Sequence, residues 1–136
     1  MCATLRRAAR ALTQLYEQEM RSSGLSTSQF TILQVLSLIS ELTQGELGRL
    51  LVMDSTTLTR TLAIMSRRGW IKKRHGHDRR EWRIALAKTG QEQLRRGLPL
   101  WERAQVRVRR QMGKGPWSEL TKLTNQLTNQ VAESGD

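Results

Sequence analysis

Ten lysines and arginines crowd one short stretch of this chain: Arg60, Arg67, Arg68, Lys72, Lys73, Arg74, Arg79, Arg80, Arg83 and Lys88, opposed only by Asp78 and Glu81. A net charge of +8 across residues 60–88 suits a polyanion, because basic groups release condensed counterions when they meet phosphates. Just upstream, Ser55, Thr56, Thr57 and Thr59 place short hydroxyls beside Arg60, side chains that can hydrogen-bond base edges in a groove. Other chemistry is thinly supplied. His75 and His77 by themselves make a poor metal site, so phosphate contact or plain solvation accounts for them and no metal is expected. The single cysteine, Cys2, excludes an intramolecular disulfide and any multi-cysteine zinc site. The sequence holds no glycine-rich phosphate loop, no nucleophile with an oriented histidine and no carboxylate pair in an apolar stretch. Neither an enzyme nor a cofactor is expected.

The elements that position these residues follow from periodicity. Leu5, Ala8, Ala9, Leu12, Leu15 and Tyr16 recur at three- and four-residue spacing, the stripe of an amphipathic helix over residues 3–22. Three pairs read as capping boxes opening helices, Ser26 with Gln29, Thr43 with Glu46 and Thr89 with Glu92. Asp54 can cap a further helix to about Arg67 whose Leu58, Leu62 and Met65 share a buried stripe, leaving Thr56, Arg60, Ala63 and Arg67 on the opposite face. Gly69 closes it as a left-handed residue. Two strands follow, Ile71 to Arg74 and Trp82 to Leu86; the second alternates Trp82, Ile84 and Leu86 with Arg83 and Ala85. On that alternation Trp70 and Trp82 should cover a core rather than stack on bases. A long helix runs on to Met112 with a kink expected at Pro99, and Gly115-Pro116 opens a last helix striped by Leu120, Leu123, Leu127 and Val131.

The whole chain of 136 residues carries +11 and is 38% hydrophobic, a small apolar fraction that points to burial against a partner subunit. Nucleic acid leads as the partner and a lipid surface comes second. No apolar run approaches the roughly 20 residues that span a bilayer, and Met1 to Arg10 lacks a signal peptide's apolar segment. A cytoplasmic protein without a membrane partner is expected. A short helix, a tight turn, a helix with a polar outer face and a basic two-stranded ribbon make the order of a winged helix-turn-helix, with the helix suited to a major groove and the ribbon to a minor one.

The sequence resembles the MarR family (multiple antibiotic resistance regulators) of bacterial transcription factors over nearly its whole length. The matching pieces are L-S-T-S-Q-F at Leu25 to Phe30, T-Q-G-E-L at Thr43 to Leu47, D-S-T-T-L-T-R at Asp54 to Arg60, R-R-G-W-I at Arg67 to Ile71, D-R-R at Asp78 to Arg80, and L-A-K-T-G at Leu86 to Gly90. The resemblance implies a mainly α fold with a small two- to three-stranded antiparallel β wing, formed by a single MarR-type domain over residues 1–136. Within it, residues 25–89 would form the winged helix-turn-helix lobe, and residues 1–24 and 90–136 the dimerisation helices, with Leu5, Leu12, Leu120, Leu123, Leu127 and Val131 as candidate contacts. It implies a homodimeric repressor on an imperfect palindrome of double-stranded DNA, released by a small-molecule effector or an oxidant. The candidate DNA-binding residues are Gln44, Ser55, Thr56, Thr57, Thr59, Arg60, Arg67, Lys72, Arg74, His77, Arg79 and Arg80, with Arg80 at the wing tip and Asp78 orienting the wing. Tyr16, Met20, Phe30, Leu33 and Trp101 match the place where family members often hold an effector, and ordinary packing explains them equally well. Cys2 has two readings, a redox sensor near the first helix or an ordinary N-terminal cysteine. Gly48, where many members carry alanine, should weaken its short helix by up to about 1 kcal/mol. Two rival functions remain open, a sequence-tolerant architectural protein and an adaptor whose winged helix binds an acidic partner.

Overall fold

The computed structural model describes residues 1–78 and 81–133. Helix α1 (Cys2–Met20) passes through a 3-10 turn (Arg21–Ser23) into α2 (Thr27–Leu38), strand β1 (Glu41–Thr43), α3 (Gln44–Leu51) and α4 (Ser55–Arg67). Strands β2 (Ile71–His75) and β3 (Trp82–Leu86) follow, then the long α5 (Lys88–Met112) and α6 (Lys114–Glu133). The sheet is antiparallel in the order β1-β3-β2, so the fold is mainly α with a three-stranded wing, as expected.

Local chemistry explains where the helices start. Gln29 donates its backbone N–H to Ser26 Oγ at 3.2 Å while Gln29 Oε1 accepts the Ser26 N–H at 3.1 Å. Thr43 and Glu46 repeat the exchange at 3.1 and 2.7 Å, and Asp54 Oδ1 accepts the Thr57 N–H at 2.8 Å. Each bond satisfies a donor that the first helical turn leaves without a partner. The third expected box, Thr89 with Glu92, does not form. Helix α5 starts at Lys88 on Ala87 with no side-chain cap, and the Thr89 hydroxyl donates instead to the Gly69 carbonyl. Thr89 is already the second residue of the helix, so its hydroxyl is not at the capping position and is used in the tertiary bond.

Helix α4 ends as its sequence suggests. Gly69 takes φ +71°, which lets the Trp70 N–H return to the Met65 carbonyl at 3.0 Å and the Gly69 N–H to Ser66 at 3.0 Å. The lobe's core gathers Phe30, Ile32 and Leu33 of α2, Leu47 of α3, Leu58, Leu62 and Met65 of α4, and Ile84 of β3, all fully buried, with Met20 of α1. A smaller cluster joins α1 to α5 and α6 through Tyr16, Ala104 and Val108 with Leu12, Leu15 and Trp117; Trp101 packs against both clusters. Helix α5 continues through Pro99.

Two glycines let α5 sit this close. A Cβ built on Gly90 would lie 2.0 Å from the Trp70 carbonyl oxygen, and one on Gly97 would lie 2.9 Å from Leu25 Cδ1. Gly90 belongs to the L-A-K-T-G motif, and its requirement is close approach of helix to wing, which no local pattern encodes. Trp82 departs from expectation in the opposite sense. Trp70 is buried, with the Arg68 guanidinium 4.8 Å above its ring, but Trp82 is 51% exposed. The ribbon outruns the lobe, so Ile84 is the last β3 residue over the core and Trp82 pairs with His75 beyond it.

The candidate nucleic-acid interface

The inner face of α4 is anchored by Leu58, Leu62 and Met65, and this aims Ser55, Thr56, Thr59, Arg60 and Ala63 outward around a shallow depression of about 380 Å³. Thr57 is also exposed; its N–H is taken by Asp54, and its carbonyl accepts the Thr61 hydroxyl at 2.9 Å. Arg67, at the end of α4, is exposed. Gln44 opens α3 and donates through Nε2 to Thr59 Oγ1 at 2.7 Å. This bond fixes the first helix of the pair against the outward face of the second. The Asp54 carboxyl is held below the usual carboxylate range by the Thr57 side chain and N–H, and Glu46 is likewise lowered by the Thr43 N–H and hydroxyl.

On the ribbon, the register Arg74↔Arg83 and Lys72↔Ala85 puts Lys72, Arg74 and Arg83 on the face away from the lobe. Arg74, a candidate DNA contact, reaches across β3 to β1: its Nε donates to Glu41 Oε2 at 2.8 Å and its Nη2 lies 2.6 Å from the same oxygen. Arg83 lies 3.5 Å from Glu81. These solvent-facing pairs are weak, and the contacts to Glu41 use Arg74 Nε and Nη2 and not Nη1. Sequence reading missed the pair because β1 was not foreseen as a strand, and only strand order brings Glu41 near Arg74. Among the described residues, Lys72 is exposed with no such carboxylate partner. His77 is exposed beside a polar recess of about 450 Å³ shared with Glu41, Arg74, His75 and Arg83. The ribbon's turn is held by the Glu81 N–H on the Asp78 carbonyl at 2.9 Å and the Gly76 N–H on the Glu81 carbonyl at 2.8 Å. Arg79 and Arg80 lie outside the described residues.

The interface therefore joins an outward-facing hydroxyl and arginine surface to a basic ribbon beside it. A family model described as MarR family matches residues 23–81, the segment from the turn before α2 to the foot of β3. The chain is also 38% identical to the M. tuberculosis transcriptional regulator MosR, solved in complex with DNA. That match covers 98% of this chain and 96% of the other at a TM-score of 0.87.

The chain belongs to the MarR family.

It is thus a MarR-family transcriptional regulator, and two further relatives place it. An uncharacterised HTH-type transcriptional regulator of Bacillus subtilis, YwoH, is 30% identical over 88 residues; the match takes in 65% of this chain and 64% of that relative's length. A variant of E. coli MarR complexed with operator DNA shares the fold at a TM-score of 0.83 and 17% identity, covering 92% of this chain and 91% of the other.

Other candidate residues fall into two groups. Met20, Phe30 and Leu33 are fully buried and Tyr16 nearly so. Trp101 stacks on Phe30 at 5.6 Å between ring centroids and tilts against Tyr16 at 6.4 Å. Trp101 itself is half-buried, and burial raises the Tyr16 hydroxyl's pKa. The other group is exposed. Leu5, Leu123, Leu127 and Val131 stand at the surface, with Leu12 and Leu120 half-buried. Cys2 is exposed at the first residue of α1. Among the described residues no helix is long and apolar enough to cross a membrane, and no group of three or more potential ligands could hold a metal ion.

Proposed function

We propose that this regulator acts as a homodimeric, sequence-specific repressor that occupies an imperfect palindrome and leaves it when an effector or oxidant changes the spacing of its lobes. The observation that carries the reading is the outward face of α4, where Ser55, Thr56, Thr59 and Arg60 stand opposite a buried stripe and Thr59 is bonded to Gln44 of α3. Such a helix suits the major groove, where its hydroxyls and guanidinium would face the base edges. Lys72, Arg67 and His77 serve phosphates, while Arg79 and Arg80, by the family resemblance, take the flanking minor groove. The exposed stripe of α6, with α1, supplies the two-fold interface. MosR's crystallisation with DNA supports this reading by similarity.

Anisotropy titrations at fixed salt test it, using a duplex from the DNA flanking the protein's own gene and a scrambled duplex of equal length. Preference for an inverted repeat is expected, with half-site centres about 10 to 10.5 bp apart. Inserting about 5 bp between the half-sites turns one lobe to the far side of the duplex and should cut affinity to the nonspecific level. Equal affinity for all duplexes would favour a sequence-tolerant architectural protein, and no DNA binding at all would favour the adaptor.

A further inference from the structure

The ribbon carries an aromatic surface that the recognition scheme above does not use. Trp82 is 51% exposed, and its ring lies 3.9 Å from that of His75, its cross-strand partner, at an interplanar angle of 35°. The register also pairs Lys73 with Ile84, so Lys73, His75, Trp82 and Ile84 share the face turned toward the helices. Lys73, Trp82 and Ile84, with Gln44, line a crevice of about 250 Å³ between the ribbon and the start of α3. Gln44 is bound to Thr59 on the outward face of α4, so one wall of the crevice is tied to the recognition surface.

Resting on the reading under Proposed function, we propose that this crevice seats one sugar–phosphate strand of the operator, with Lys73 on the phosphate and the Trp82 indole against the deoxyribose. The reason is geometric. A duplex read by α4 in its major groove and by the ribbon in the adjacent minor groove has one backbone strand between those grooves. That strand must cross the protein between helix and ribbon, where the crevice lies. Its charge calls for a cation at the wall, which Lys73 provides. The sugar edge is the apolar part of the strand, and bases already stacked in a duplex leave it as the surface an indole can cover. His75 backs the ring and fixes its angle.

The seat is tested with Trp82→Ala, Trp82→Phe and Lys73→Ala in the full chain, by salt-dependent binding and hydroxyl-radical footprinting on the preferred duplex. Trp82→Ala should weaken binding roughly tenfold at every salt concentration with an unchanged slope of log K against log salt, because an apolar contact releases no counterion. It should also expose one or two deoxyriboses per half-site on one strand, leaving major-groove protection intact. Lys73→Ala should lower the slope by about 0.9. Trp82→Phe, which keeps a ring on His75, should bind within about threefold of wild type and controls for lost folding. Wild-type affinity in Trp82→Ala, or a uniform loss of protection across the half-site, overturns the seat while DNA recognition stands. Failure of the wild-type protein to bind any duplex overturns both.

Discussion

Replacing Gly90 with alanine tests the packing that couples the DNA lobe to the long helix. The added methyl carbon would sit 2.0 Å from the Trp70 carbonyl oxygen and 3.0 Å from Leu86 Cδ1, and ordinary contact begins near 3.4 Å. The obstructing oxygen is backbone, and it also accepts the Ala87 N–H at 3.0 Å, so it cannot swing aside as a side chain would. Either α5 retreats by about 1.4 Å, the gap between 2.0 and 3.4 Å, or the foot of the wing gives way. Overpacking of this kind costs about 1 to 3 kcal/mol, and the strained hydrogen bond adds about 1 kcal/mol. A loss of about 2 to 4 kcal/mol is a large share of a domain's usual stability of about 5 to 15 kcal/mol. Gly48→Ala is the matched control. Its methyl would lie 3.4 Å from Leu58 Cδ2 and 3.5 Å from the Met53 oxygen, which the chain can accommodate, so helix propensity should stabilise it by up to about 1 kcal/mol. Urea unfolding by circular dichroism reads both variants. A Gly90→Ala protein unfolding within about 0.5 kcal/mol of wild type would refute the close approach of α5 to Trp70.

Three other outcomes are expected. Removing residues 115–136, which takes away the exposed Leu123, Leu127 and Val131, should give a monomer or aggregate with much weaker operator binding; sedimentation as a dimer with normal affinity would count against α6 as the interface. Arg80→Ala should cost about 1 to 3 kcal/mol in binding, depending on the sequence flanking the half-site, whereas Lys72→Ala should weaken all duplexes alike. Equal, sequence-blind losses in titrations would reduce Arg80 to a phosphate contact. The carboxyls of Asp54 and Glu46 are depressed in the folded state, so their contribution is present above the unfolded carboxylate pKa and is lost as pH falls through the folded value. Urea midpoints between pH 7 and pH 3 should therefore drop less in Asp54→Asn, which caps without titrating, than in wild type; parallel curves would show that the Asp54 cap does not carry the acid sensitivity.

Much of the local structure was legible because its causes lie within a few residues. The boxes at Ser26 and Thr43, the cap at Asp54, the left-handed Gly69 and the stripe of Leu58, Leu62 and Met65 are all decided by neighbours within one or two helical turns, and each has the form its sequence implies. The outward face of α4 follows from the same period. The order of helices and ribbon, with the charge from Arg60 to Lys88, then pointed to the winged helix-turn-helix and to the family.

What failed to read locally depends on contacts made across the fold. Thr89 has the sequence of a cap and spends its hydroxyl on Gly69, 20 residues away. Trp82 alternates as a core residue but stands beyond the lobe's edge, because alternation tells which face a side chain takes and not how far the core extends beneath it. The pair of Arg74 with Glu41, 33 residues away, forms only through the third strand, so no local pattern shows it. Tyr16, Phe30 and Trp101 are brought into ring contact only by the approach of α5 to α1 and α2, which Gly97 admits. The sequence alone settled where the elements begin and which faces carry charge, since backbone hydrogen bonding and helical period act at short range. Tertiary structure decided which of those charges are already paired, which aromatic ring is left at the surface and how near α5 comes to the wing, since those outcomes turn on distances between residues that the chain itself keeps far apart.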